Sequence, residues 1–337
     1  MAKITLGIIL IHVGSMFDLR SIVKEWKVVV TILSAIMGIL LFILGAGSFL
    51  FGKDVALVAA APMTGGAIAA LIISNAASVA HKPDLGILAN MIFLMHGFFG
   101  FPLAAFFLNR ESKRLLKAHR DNPEHNELTL QVCIEEEAGS GSAKKKLYEY
   151  IPEKYRTTTF HFTLLVLLGC LSLIIGHYTG LNGAVIQVFI GITLKQSGLM
   201  EASPLSKAES NGILLLALFA SFMASFVSAS TEVLAHTALT IFILMSIATL
   251  GLSLFSIIAG RILGYSASLS FSIGINCFLG FPYNFALTNE AVKATAQTPQ
   301  EASLLTAYLM PKVIIAGIIS ISLVSAILAG IVVGFVF

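Results

Sequence analysis

Two hydrophobic segments of this chain match at a fixed offset and are interrupted in the same way. VALVAAAPMTGGAIAALIISNA occupies positions 55–76 and LSFSIGINCFLGFPYNFALTNE positions 269–290. A shift of 214 residues puts Gly66 on Gly280, Ser74 on Thr288 and Asn75 on Asn289. Each segment is apolar enough for a bilayer, yet each is broken by Gly, Pro and small polar residues. Unpaired backbone groups in hydrocarbon cost several kcal/mol each, so irregular backbone survives there only where it is buried in protein or lines a cavity. A pair of broken apolar segments in corresponding positions of two halves is therefore a pointer to a membrane binding site.

Composition supports the membrane. The 337 residues are 57% hydrophobic and only 12% charged, with a mean hydropathy of +0.90, whereas a soluble domain carries about 25% charged residues. The net charge of +3 is too small to indicate nucleic acid. Cys133, Cys170 and Cys277 are scattered and odd in number, which gives neither a disulfide framework nor a metal site. No Ser/His/Asp or metal-ligand spacing suggests an enzyme.

Apolar runs predict an all-α polytopic protein with 8 spans, at 4–17, 28–50, 88–108, 160–177, 182–200, 212–231, 237–260 and 309–334. The first is short, since a crossing helix needs roughly 20 residues. The long polar stretch 109–158 holds ten Lys/Arg and nine Asp/Glu, including the acidic, Gly/Ser and basic run from Glu135 to Lys146. It reads as a flexible connector between a first half, 1–108, and a second half, 159–337.

Charge distribution decides how the broken segments are threaded. If both are re-entrant hairpins, Arg20, Lys24, Lys27, Lys195, Lys207, Arg261 and Lys293 share a side with 109–158, so that 17 of the 21 Lys/Arg lie together. Lys3, Lys53 and Lys82 lie opposite, and Lys312 is left in the membrane. If both cross, the bias weakens. Re-entrance is expected, with the basic side cytoplasmic. An odd number of crossings then separates the related spans, so the halves form an inverted repeat. The second half has two spans before its matched region and the first half has none, which predicts that about two N-terminal helices are missing.

At the hairpins, Thr64, Gly65, Gly66, Gly280 and Asn284 are expected to bind substrate. Ser74, Asn75, Asn276, Thr288, Asn289 and Glu290 offer the hard oxygens expected of a cation site. Lys312, a charge within an apolar span, is a functional candidate by default and could neutralise a substrate carboxylate. His96 could carry a proton, although a hydrogen-bonded packing histidine is the expected reading. Asp18 and Glu232 read as solvated helix-end carboxylates.

The order of elements resembles the sodium/glutamate symporter family. Thr64–Ala70 is similar to that family's first hairpin, Phe278–Glu290 to its second and Val13–Leu19 to the end of its third helix. The first hairpin departs from the family in having fewer glycines and no His, and Lys312 falls where the family is apolar. Residues 56–66 are also similar to 2-keto-3-deoxygluconate permeases. Both families move small carboxylates. The resemblance implies a secondary transporter of an amino acid such as glutamate, or of another organic acid, in a bacterial inner membrane. It implies no cofactor beyond Na⁺ as coupling ion. The alternatives are an H⁺-coupled organic-acid permease or exporter, a channel, and a non-transporting scaffold or sensor. The partners expected are a small anion, a coupling cation and membrane lipid, with a homodimer allowed and nucleic acid excluded.

Overall fold

The computed structural model describes residues 23–121, 157–179, 183–200, 231–280 and 283–337, with isolated positions elsewhere. The described residues form helices and no strand. They are α1 (Trp26–Phe51), α2 (Lys53–Gly65), α3 (Ala67–Val79), α4 (Pro83–Asp121), α5 (Thr158–Thr179), α6 (Gly183–Gln196), α7 (Thr231–Ile262), α8 (Ala267–Leu279), α9 (Tyr283–Thr295), α10 (Pro299–Ile318) and α11 (Ser325–Val336). π-helical turns interrupt α1 at Ile43–Gly47 and join α10 to α11 over Ile319–Val324.

Five helices are long and apolar enough to cross a membrane: α1, α4, α10, Thr158–Gly176 of α5 and Leu234–Ile262 of α7. The large apolar side chains exposed along them, such as Leu33, Met37, Leu250, Leu254 and Ile258, suit a lipid-facing surface rather than a wet one. The chain is thus a helical membrane protein. Of the other expected spans, 182–200 holds the shorter α6, while 212–231 and most of 4–17 lie outside the described residues. The span expected at 309–334 is the second half of α10, the π turn and α11.

α4 corrects one boundary. It runs 39 residues, about 58 Å at 1.5 Å per residue, so it exceeds a roughly 30 Å hydrocarbon core and continues into the stretch expected to be a flexible connector. Residues 109–121 are helical because Leu108, Glu111, Ser112, Leu115 and Leu116, all buried, follow the i, i+3, i+4, i+7, i+8 pattern of one helix face. The rest of the expected connector lies almost wholly outside the described residues.

α1 and α7 pack closely. A methyl added at Gly38 would clash with the Gly251 carbonyl, and one added at Gly251 would clash with the Gly38 carbonyl. Gly38 also abuts the Cβ of Phe255, and Gly251 the Cβ of Phe42. Small residues allow such close backbone approach between membrane helices. The contact is reciprocal, because 38 pairs with 255 as 42 pairs with 251.

The two broken segments each fold back on themselves. At the start of α8, the Ser266 hydroxyl donates to Glu111 Oε2 at 2.6 Å. At the end of α9, Ala294 and Thr295 line a cavity with Asn109 and Lys113. Both ends of the second segment thus lie against the same stretch of α4, while its middle (Phe278, Leu279, Tyr283) packs on His96, Gly100 and Phe101. In the first segment, Ser74 and Ala77 of α3 meet Gly86 near the start of α4, and the Gly66 break reaches Phe93 and His96. α11 packs on both α2 and α3, from Ser325 against Gly65 to Val336, whose carbonyl accepts from Lys82 at 3.0 Å. The two segments therefore approach from opposite ends of α4, and their turns meet beside the same part of it.

Candidate functional site

Two glycines make the breaks. Gly66 has φ 75° and ψ −125°. Gly280 has φ 60° and ψ −178°. These are conformations that L side chains rarely adopt, and these are the two glycines that the 214-residue offset superposes. α2 and α8 end at them with their C-terminal carbonyls, and α3 and α9 set out from or just beyond them. Among the described residues no side chain caps the start of α3, where Ile68, Ala69 and Ala70 are buried. The first N–H groups of a helix have no partner within it, and together with the helix dipole they attract an anion.

His96 on α4 stands between the two breaks. Its ring stacks on Phe278 of the second segment, with centroids 5.1 Å apart and planes 17° from parallel. Its Nδ1 lies near Gly66, where an added Cβ would come within 3.7 Å. His96 is 2% exposed, and among the described residues neither ring nitrogen has a hydrogen-bond partner. A buried polar group without a partner costs free energy that a packing role does not return. The expected hydrogen-bonded packing histidine is therefore not what the structure contains. Beside the ring is a cavity of about 140 Å³ lined by Phe93, His96, Phe101, Phe278, Leu279 and Tyr283. At about 30 Å³ per water, it holds only a few small groups.

Next to this cavity, the second break carries a hydrogen-bonded network. Asn284 Nδ2 donates to Asn276 Oδ1 at 2.9 Å and to the Val313 carbonyl at 2.8 Å. Asn276 Nδ2 donates to the Ser272 carbonyl at 2.7 Å, and Ser320 Oγ to the Asn276 carbonyl at 3.1 Å. The network ties both arms of the segment to α10 and to the π turn that follows it. At the first break, the Thr64 hydroxyl returns to the Ala61 carbonyl at 2.8 Å, and Gly65 lies against Ser320 and Ser325.

The six oxygen-bearing residues expected to hold a cation are not brought together. Asn276 belongs to the network just described. Ser74 accepts from Asn90 Nδ2 at 2.9 Å, and Thr288 donates to the Asn284 carbonyl at 2.8 Å. Asn75 and Glu290 are exposed and Asn289 is half-buried. Ser74 and Thr288 lie eight residues past their glycines, about 12 Å along a helix, on arms that leave in opposite directions. Among the described residues no three His, Cys, Asp or Glu side chains are grouped to hold a metal.

Lys312 also stands apart from the breaks. It is 2% exposed, its Nζ lies 3.4 Å from Glu25 Oε1 and donates to the Tyr308 carbonyl at 3.1 Å, and it sits 4.0 Å from the Tyr308 ring centroid. The Glu25 carboxylate just before α1 also receives Tyr265, whose phenol is pushed up from its ordinary pKa by burial and by that carboxylate. The charge of Lys312 is thus met within the protein, so the substrate-binding role expected of it is not what its contacts display. Nearby on the same side, Glu111 is held by Arg114 at 2.7 Å and Glu301 by a two-pronged pair with Arg120 at 2.7 and 3.0 Å.

No protein-family model and no curated protein matches this sequence.

Proposed function

We propose that the chain is a secondary active transporter of a small carboxylate, bound where the two broken segments meet. The observation that carries this reading is His96, buried and without a partner, between two glycine breaks that arrive from opposite ends of one helix. Backbone N–H groups at the buried start of α3 favour an anion, and the cavity beside them presents His96 and Tyr283 as polar side chains. The size of the cavity suits a small substrate.

In this reading the two segments are re-entrant hairpins and the halves form an inverted repeat. Support comes from the positive φ at both superposed glycines and from the reciprocal α1/α7 crossing. The same holds for long-helix packing, where the far half of α4 lies on both arms of the second hairpin and α11 on both arms of the first. Ser266, Thr295, Glu111 and Arg120 then share the cytoplasmic side with the basic loops, and Lys53 and Lys82 lie outside. The arrangement suits alternating access, with one hairpin open to each side. It keeps the resemblance to sodium/glutamate symporters at the level of organisation.

The test is uptake into proteoliposomes of [¹⁴C]pyruvate and [¹⁴C]glutamate, the first matched to the cavity and the second to the resemblance. Saturable accumulation of either, collapsing when the imposed ion gradients are dissipated, is expected. Flux that ignores every gradient, or no flux of either compound, would overturn the proposal.

A further inference from the structure

We infer that the coupling ion is the proton and that His96 carries it together with the carboxylate. The inference rests on the transporter reading above and adds to it the driving ion, the residue that binds it and the charge balance of the cycle.

The argument begins with what faces the imidazole. Among the described residues, the other titratable side chains on the turns that pack against it are Tyr283, which lines the same cavity, and Cys277, buried next to Phe278. Lys53 and Asp54 stand at the far end of α2, and Glu290 and Lys293 on the exposed far half of α9. Lys312 is engaged by Glu25. Asp84, Arg110 and Lys113 lie turns away along α4, and α3 carries no titratable group. Among the described residues at the breaks, no fixed charge opposes or replaces that of His96. A sodium ion would need converging oxygens; Ser74, Asn75, Thr288, Asn289 and Glu290 are dispersed over both arms, and the oxygens of Asn276, Ser320 and Val313 that do converge at the second break are engaged in hydrogen bonds with one another and with Asn284.

Electrostatics then couples the two species. A lone carboxylate between the breaks is a buried, unpaired charge, which is strongly disfavoured, and so is a lone imidazolium. A carboxylate beside a protonated His96 is a neutral, hydrogen-bonded pair and can be enclosed. Neutral His96 carries no charge and can also be enclosed. Two of the four loading states can therefore cross, fully loaded and empty. Water on one side gives one proton to the free ring nitrogen and the carboxylate binds to the resulting N–H. On the other side both depart, the proton to water. One proton and one carboxylate move per cycle, with no net charge. The neutral ring serves because it has one nitrogen able to accept a proton and one already bearing one.

The test uses the whole chain in proteoliposomes containing pyranine, with pyruvate and glutamate as probes. For the wild type, a pH gradient should drive accumulation in choline buffer without Na⁺. One proton should enter per probe molecule, and the rate should be insensitive to a potential clamped with valinomycin. His96→Gln should lose pH-driven accumulation at least tenfold. His96→Arg, with a permanent cation, should lose net accumulation but retain exchange of labelled for unlabelled probe, now independent of pH between 5.5 and 8. Accumulation that requires Na⁺, a net current accompanying the probe, or pH-driven accumulation surviving in His96→Gln would overturn the inference while leaving the transporter reading standing. Absence of flux for both probes under every gradient would overturn both. The wild-type stoichiometry and current decide the matter even where a variant fails to insert.

Discussion

Lys312 and Glu25 form a buried ion pair across 287 residues of sequence, and its energetics can be worked from the contacts. The side chains are 3% and 14% exposed, so both charges have largely left water. Removing one partner of a buried pair typically costs about 3–5 kcal/mol, because the other charge is stranded. Lys312→Met keeps the packing of the stem and leaves Glu25 still partnered by Tyr265, which places the loss at the low end, about 3 kcal/mol. Glu25→Gln leaves the ammonium with the Tyr308 carbonyl at 3.1 Å and the Tyr308 ring at 4.0 Å. A desolvated cation–π contact is worth about 2 kcal/mol, so this loss should be smaller, about 2 kcal/mol. In the double variant neither charge is stranded, and its cost should be about 2 kcal/mol rather than the additive 5. Equilibrium unfolding in mixed detergent micelles measures all three. Additivity to within about 0.5 kcal/mol would refute a coupled pair. The double variant should also keep carboxylate uptake, since neither charge faces the hairpin turns. Loss of uptake with stability intact would return Lys312 to the binding site.

Other consequences follow from the same contacts. Gly66→Ala and Gly280→Ala each force a side chain to a φ of 75° or 60° and should destabilise by roughly 1–3 kcal/mol, with a larger fractional loss of uptake; unchanged uptake in both would remove the breaks from the site. Glu111→Gln weakens the hold on Arg114 and on Ser266 at the start of α8, so amide exchange should rise at residues 266–270 and not at 67–71; equal change at both would contradict it. Tyr265 has a folded-state pKa above its ordinary value of 10.0, so the unfolded chain releases the phenolic proton first as pH rises. Its contribution is complete below pH 10 and is lost above it, so Tyr265→Phe should flatten the alkaline limb of a stability–pH profile, and an identical limb would count against the placement.

The parts of the molecule legible from sequence were those written in local chemistry. Gly66 and Gly280 declared the breaks, because few other residues can turn a buried chain there, and apolar length declared α1, α4 and α7. The extension of α4 through Asp121 was hidden by its charge, although Leu108, Leu115 and Leu116 already kept the helical period. Lys312 was misleading because its partner precedes α1, and no pattern in the sequence links Glu25 to residue 312. His96 was visible as a lone histidine in LMHGFFGFP, but its lack of a partner is a property of packing. The oxygens at Ser74, Asn75, Thr288 and Asn289 matched in register, yet antiparallel arms carry matched positions apart rather than together.

The placement of both breaks around His96 of α4 has a thermodynamic consequence. A single imidazole touches two segments that approach from opposite ends, so the free energy by which holding the Gly66 side changes binding at the Phe278 side must equal, in size and sign, the free energy by which holding the Phe278 side changes binding at Gly66. The two approaches to the cavity are therefore linked variables. Affinity measured from one side will depend on how the other side is held, and a ligand or cross-link that fixes either turn should be detectable as a shift in the titration of the other.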